Sequence, residues 1–190
     1  MSLEDKNLTA SVPPVTPKRT ARRRIGEILQ ESGLITEQDL TDALAASKQS
    51  GQFIGLILVK TGKITPEQLG QSLAVQYGLK YVNIVKMPIN PELMELLPAE
   101  FIVEKQVLPI AKERGRLVVA MVNPANREII DEITFITGMR PLVTVTTSIE
   151  FLEFCNKNLA DSSTTSIKEG ISSLSGQLRE QNKQLDNIQQ

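Results

Sequence analysis

Two segments of this chain, Arg24 to Ser47 and Phe53 to Gln76, are copies of one another at an offset of 29 residues, joined by Lys48-Gln49-Ser50-Gly51-Gln52. They agree at ten of twenty-four positions: Ile25/Ile54, Gly26/Gly55, Ile28/Ile57, Leu29/Leu58, Gly33/Gly62, Ile35/Ile64, Thr36/Thr65, Leu40/Leu69, Leu44/Leu73 and Ala45/Ala74. A duplication of this period marks a supersecondary unit that cannot bury its apolar face alone and must pack on its copy. Whether the pair is only a fold or also a ligand site is the functional question that the rest of the chain has to answer.

Each copy reads as two short helices. Ile25, Ile28 and Leu29 fall on one helical face, and Gly33 stands where a left-handed cap ends the helix. Thr36 offers an N-cap with Asp39 at the third helical position, a weaker relative of the capping box, and Leu40, Ala43, Leu44 and Ser47 form the next inward stripe. The second copy is more explicit: Gly62 closes its first helix, Thr65 caps its second, Pro66 takes the first helical position and Gln68 completes the box. Four helices are expected, stacked as paired hairpins with the leucines facing inward.

Downstream, Lys80 to Ile84 alternates polar and apolar residues as a short extended segment, and Pro88 and Pro91 mark a linker. Helical stretches over Pro91–Leu97 and Pro98–Glu104 precede two apolar runs, Val107–Ala111 and Leu117–Val122, whose intervening Lys112-Glu113-Arg114-Gly115-Arg116 predicts an antiparallel hairpin. Asn126 can cap a helix carrying Ile129, Ile130 and Ile133. Leu142–Thr146 is a β-branched strand, and Ser148 can cap a last helix through Phe151, Leu152 and Cys155. The fold class that follows is α+β: an N-terminal helical tandem-repeat subdomain, then a small α/β sandwich with a short sheet, then a C-terminal coiled-coil-like helix. The divisions are a disordered leader over 1–20, the tandem-repeat subdomain over 21–86, the small α+β subdomain over 87–160, and a linker with an amphipathic helix over 161–190. In that tail Ile167, Ile171, Leu174, Leu178, Leu185 and Ile188 recur at three- and four-residue steps, which suits either a homodimerising coil through 167–188 or a linker helix toward a further domain.

Composition narrows the function classes. The start, Met1 to Lys18, is polar with no apolar core of a signal peptide, no apolar run approaches a membrane span, and the lone Cys155 cannot form an intramolecular disulfide; a cytoplasmic protein without direct membrane insertion is expected. Lys18, Arg19, Arg22, Arg23 and Arg24 gather just before the first repeat as a solvated arm, a nucleic-acid or membrane patch, or a phosphate-binding edge. No basic stripe, aromatic platform or reader motif accompanies them, so no nucleic-acid partner is expected. The chain has no histidine, Cys155 reads as core, and Glu128, Asp131 and Glu132 read as one solvated helix face, so neither catalysis nor a metal is expected. Gly62-Lys63 approaches the end of a phosphate loop, but Ile64 stands where Ser or Thr is needed and Gly55 is too far upstream. Gly26 and Gly55, near helix starts where alanine has better propensity, allow close approach of another helix or of a flat ligand. Arg24 supplies a planar guanidinium suited to phosphate oxygens or a guanine edge.

Arg24-Ile25-Gly26, Leu29, Gly33, Leu40 and Leu44, then Ile54-Gly55, Leu58, Gly62, Leu69, Leu73 and Gln76 after a five-residue spacer, resemble the tandem motif of the MshEN domain family. That family is the N-terminal domain of assembly ATPases of type II secretion and type IV pilus systems and also occurs on other bacterial regulatory modules. The motif covers residues 24–76, with looser similarity to about Leu159. The resemblance implies a non-enzymatic regulatory domain that binds cyclic di-GMP through both copies and couples it to an ATPase motor or an assembly-platform protein. It implies ligand contact for Arg24, Leu40, Leu44, Leu69, Leu73 and Gln76, with Arg22 a phosphate partner and Ile25, Gly26, Ile54, Gly55 and Ser47 completing the set. The alternative is a docking module of such an ATPase that no longer binds nucleotide. Two departures bear on the choice: Ser47 closes the first copy where the family pattern has Gln, and Phe53 opens the second where it has Arg. Loss of one hydrogen-bonding side chain costs about 1–2 kcal/mol, roughly tenfold in affinity.

Overall fold

The computed structural model describes residues 23–88 and 90–158, together with Ser172 and Gly176. The leader expected over 1–20, Arg22, and the coil expected over 167–188 lie outside the described residues, those two positions apart.

The repeat becomes two helix pairs in register: α1 (Ile25–Glu31) and α2 (Glu37–Ser50), then α3 (Ile54–Lys60) and α4 (Pro66–Tyr77). Local chemistry sets their ends. Gly33 and Gly62 take left-handed φ values of 67° and 70°, a region an L side chain avoids, and so turn the chain between the helices of each pair. Both second helices begin with a closed capping box. Thr36 Oγ1 accepts from the Asp39 amide at 3.1 Å while the Thr36 amide donates to Asp39 Oδ2 at 2.9 Å, and Thr65 and Gln68 repeat this at 3.1 and 2.8 Å. Aspartate therefore closes the first box as fully as glutamine closes the second.

The four helices share one core, formed by Leu29, Ile35, Ala43, Ile57, Leu58, Ile64 and Leu69. Leu44 does not join it. It is 40% exposed, contrary to the inward stripe expected for α2. The reason is geometric: Leu40 already lies over Gly26 in the first turn of α1, so a residue one turn further along α2 overhangs the start of that helix.

A second core follows. β1 (Val107–Glu113) and β2 (Arg116–Met121) pair antiparallel, and β3 (Pro141–Val145) pairs parallel with β2, giving the order β1-β2-β3. Arg114 and Gly115, both in the left-handed region with φ of 49° and 75°, make the two-residue hairpin turn, whose twist matches the right-handed twist of the strands. Helix α7 (Arg127–Thr137) carries the chain from β2 to β3, while α5 (Pro91–Met94) and α6 (Ala99–Lys105) precede the sheet and α8 (Ser148–Asn158) follows it. Ile102, Val107, Leu117, Val119, Ile133, Phe151 and Cys155 are buried in this core. Burial pushes the Cys155 thiol up to about 12, so it stays protonated and serves as packing. The cap of α8 is Thr147, not Ser148 as expected. The Glu150 amide donates to Thr147 Oγ1 at 3.2 Å and the Thr147 amide to Glu150 Oε2 at 3.2 Å, because only Thr147 has a carboxylate three residues on.

Tyr81 joins the two cores. Its segment runs beside β3, with the Val82 amide donating to the Val145 carbonyl at 2.9 Å and the Val145 amide to the Lys80 carbonyl at 2.8 Å. Its ring lies against Gly70 of α4, where any Cβ would collide with it, and its hydroxyl donates to the buried Glu150. Thr146 and Thr147 hydroxyls complete the shell of Glu150 at 3.1 and 2.9 Å, leaving that carboxylate fully paired. Burial first, and the Glu150 hydrogen bond next, hold the Tyr81 hydroxyl well above its ordinary pKa, so it remains a donor. No helix among the described residues is long and apolar enough to cross a membrane.

Candidate ligand-binding site

The helix pairs are not simply stacked hairpins. Each second helix crosses to the other copy. The Gln76 Nε2 of α4 donates to the Arg23 carbonyl at 2.9 Å, across 53 positions of sequence. Exchanging the two copies turns this bond into one from residue 47 to residue 52, and the structure has that bond too: Ser47 Oγ donates to the Gln52 carbonyl at 2.6 Å. The pairing is thus related by an approximate two-fold exchange of the copies.

Further pairs obey the same exchange. Position 23 meets position 31 as the Arg23–Glu31 ion pair at 2.5 Å, and position 52 meets position 60 as Lys60 Nζ donating to Gln52 Oε1 at 2.9 Å. Burial pulls the Lys60 ammonium below its ordinary pKa. A Cβ on Gly26 would lie 2.5 Å from Leu40 Cδ1, and one on Gly55 would lie 2.5 Å from Leu69 Cδ1. The close approach anticipated for these glycines is therefore made by a leucine of the same copy.

These contacts frame a gap between the two helix starts. Helix α2 runs from Leu40, over Gly26, to Ser47, at Gln52; seven residues of helix cover roughly 10 Å, so the starts of α1 and α3 are neighbours about that far apart. Helix α4 spans the same gap in the opposite sense, from Leu69 over Gly55 to Gln76 at Arg23. Leu44 and Leu73 fall midway, over the gap, Leu44 exposed and Leu73 half-buried. Ile25 and Ile54 are half-buried beside the buried Gly26 and Gly55 at the two helix starts.

At one end of the gap Arg24 is exposed, and its guanidinium has no hydrogen-bond or ion-pair partner among the described residues; its backbone amide donates to Glu27 Oε2 at 3.0 Å and its carbonyl accepts from the Ile28 amide at 3.2 Å. Arg24 and Gln76 thus share that end, Gln76 reaching the carbonyl of the neighbouring Arg23. Ser47 and Phe53 share the other, where Ser47 reaches the Gln52 carbonyl and Phe53 is 86% exposed. In the sequence Phe53 stands out only as a departure from the family pattern, yet the 29-residue offset from Arg24 leads directly to it. Lys63, the near-miss phosphate-loop lysine, faces away from this gap into an ion pair with Asp39 at 2.7 Å. That lysine, with the Thr36 cap, holds the Asp39 carboxyl well below the usual carboxylate range.

Known proteins agree with this architecture. The sequence model of the MshEN domain matches residues 77–164. The unit built around the sheet is thus similar to an MshEN domain. The matched residues begin where the second copy of the repeat ends, so the family match rests on the unit built around the sheet. The type IV pilus assembly ATPase PilB of Myxococcus xanthus (strain DK1622) is 31% identical over 138 residues, which is 73% of this chain but 24% of that protein; the chain thus spans about a quarter of the length of this relative. Among solved structures, MshE with cdg superposes with a TM-score of 0.60 at 23% identity, covering 72% of this chain and 99% of that one. The N-terminal domain of XpsE superposes with a TM-score of 0.53 at 24% identity, covering 74% and 96%. A share of 72% of 190 residues exceeds what lies between Tyr77 and the end of the chain, so the likeness in fold extends into the helix pairs.

Proposed function

We propose that this chain is a non-catalytic receptor module that binds cyclic di-GMP across the gap between its helix pairs and relays occupancy to a type IV pilus or type II secretion ATPase, or to its assembly platform. One observation carries the reading: the reciprocal bonds Gln76 to Arg23 and Ser47 to Gln52, which relate the two copies by an approximate two-fold exchange and leave Arg24 next to the end that Gln76 reaches. A cyclic dinucleotide is itself two-fold, with two bases and two phosphates, and matches such a gap in symmetry. The fold shared with MshE, whose structure was solved with cdg, supports the same ligand. In this reading Arg24 and Arg22 meet phosphate or a guanine edge, Leu40, Leu44, Leu69 and Leu73 supply the apolar walls with Ile25, Gly26, Ile54 and Gly55, and Gln76 and Ser47 supply the polar ends. The two separate cores support treating 21–86 as the ligand unit and 87–160 as the unit that passes the signal on, with Tyr81 between them. A signal of this kind draws its energy from the ligand's differential affinity for two arrangements.

Titration calorimetry with cyclic di-GMP tests the proposal. Saturable heat is expected, and Arg24→Ala removes most of it while leaving the thermal midpoint nearly unchanged, because the guanidinium has no structural partner among the described residues. Absence of heat at about a hundred micromolar ligand, near the weak end of useful affinity, rejects the receptor reading. The docking-module alternative draws on a different observation, the 91% exposed Phe135 beside the 41% exposed Ile136 on α7.

A further inference from the structure

The two ends of the gap are equivalent in backbone and unlike in chemistry. Arg24 and Phe53 both precede a helix start in extended conformation, with φ and ψ of −73° and 146° for one and −68° and 134° for the other, so their side chains leave the two helix starts in matching ways. A ligand with two equal halves would therefore present one half to a guanidinium and the other to an aromatic ring. Phe53 is 86% exposed, and Leu44, 40% exposed and one turn before Ser47, extends the same apolar surface. Nothing in the packing explains a phenylalanine left open at this position, and its counterpart under the exchange, Arg24, is exposed as well.

Resting on the cyclic-dinucleotide reading above, we infer that the site recognises its ligand asymmetrically: the Arg24 end reads one guanine by its edge, and the Phe53 end stacks on the second base without reading it. A guanidinium paired with guanine O6 and N7 discriminates against adenine, because the adenine amino group turns an acceptor into a donor. An aromatic ring stacked on a base is indifferent to that change, since every base presents a π-face. The Ser47 end adds little discrimination, as its hydroxyl hydrogen is already committed to the Gln52 carbonyl. The ligand class is thus a cyclic dinucleotide with at least one guanine, not cyclic di-GMP alone.

Three cyclic dinucleotides and two variants test this. Calorimetry is expected to give cyclic di-GMP and cyclic GMP–AMP affinities within about threefold, while cyclic di-AMP binds about ten- to a hundredfold more weakly. Phe53→Ala lowers affinity for both guanine-containing ligands roughly tenfold at an unchanged thermal midpoint. The chain has no tryptophan, so Phe53→Trp installs a unique fluorophore whose emission is quenched by a stacked base. If cyclic di-GMP binds but cyclic GMP–AMP is rejected as strongly as cyclic di-AMP, or the Phe53→Trp emission is unmoved at saturation, the asymmetric site is overturned and the receptor reading stands. If cyclic di-GMP itself gives no heat, both fall.

Discussion

At one end of the helical unit, the start of α1 carries Arg23 and Arg24, and Gln76 reaches the Arg23 carbonyl; at the other, the start of α3 carries Gln52 and Phe53, and Ser47 reaches the Gln52 carbonyl. The backbone closure needs one donor at each end, and a hydroxyl supplies it as well as an amide does. The surplus differs. After donating, Gln76 retains a second N–H and a carbonyl oxygen, whereas Ser47 retains only lone pairs. Closure of the fold and recognition of a ligand are therefore separable demands on the same position, met together at Gln76 and only in part at Ser47. The buried contacts differ as well, since Leu69 is 7% exposed against Gly55 while its counterpart Leu40 is half-buried against Gly26.

The largest expected effect tests that inequality in packing. Leu69→Ala should destabilise the protein by about 2–4 kcal/mol and Leu40→Ala by clearly less, because the second side chain already sees solvent. Gly55→Ala should cost about 1–3 kcal/mol, as its new methyl drives into Leu69, while the same change at Gly26 is milder because Leu40 can swing outward. Combining Gly55→Ala with Leu69→Ala should cost less than the two separately, the methyl occupying part of the space left. Urea unfolding of the six proteins reads these differences. Equal costs in the two halves would show that the exchange symmetry extends to energetics and that the two halves are packed alike.

Local features of this fold were legible in the sequence and non-local ones were not. The boxes at Thr36 and Thr65 and the left-handed Gly33 and Gly62 depend on residues within four positions, which is the range over which side-chain and backbone chemistry acts without help from the fold. The Gln76–Arg23 bond spans 53 positions, and no periodicity predicts that α4 returns to α1. For the same reason the stripe of α2 points Leu44 inward although the helix beneath it ends, and the sequence alone allows either a helix or a ligand against Gly26 although a leucine of its own copy covers it. Tyr81 read as one residue of an extended segment; its role between Gly70 and Glu150 exists only once both cores are in place. The site residues could be named because the duplication itself is visible, but which of them share an end follows from the crossing of the helices.

Recognition offers the next test. Gln76→Ala is expected to weaken cyclic di-GMP binding by about tenfold or somewhat more, and Ser47→Ala by less than threefold, since the serine's hydrogen is already spent on the backbone. Ser47→Gln should tighten binding by up to about tenfold by giving the second end the spare amide of the first. Calorimetry on the three variants settles the order. A Ser47→Gln protein that binds no more tightly would mean that the Phe53 end has no use for an amide, which favours stacking as its whole contribution.

The smallest effect concerns the turns at the far side of the unit, where Lys63 of the second copy pairs with Asp39 of the first at 2.7 Å and the repeat offers no counterpart, because the matching residues are Leu34 and Gln68. The Asp39 carboxyl is depressed, chiefly by the Lys63 hydrogen bond and then by the Thr36 cap, and the Lys63 ammonium is raised by Asp39. A depressed acid stabilises the fold above its unfolded pKa, near 3.8, and the contribution is lost as pH falls through the lower folded value; a raised base stabilises below 10.5 and is lost as pH rises through its higher folded value. The pair therefore acts in the window between those ordinary values. The Lys63 side chain is half exposed although that of Asp39 is largely covered, so salt screens much of the attraction and the effect is small. Lys63→Met should lower the thermal midpoint by a small amount at pH 7 in low salt, with the difference from the parent shrinking toward pH 2 and on adding salt at pH 7. A difference that persists unchanged in both conditions would assign the loss to the lysine's apolar stem packing, not to the charge that joins the two copies.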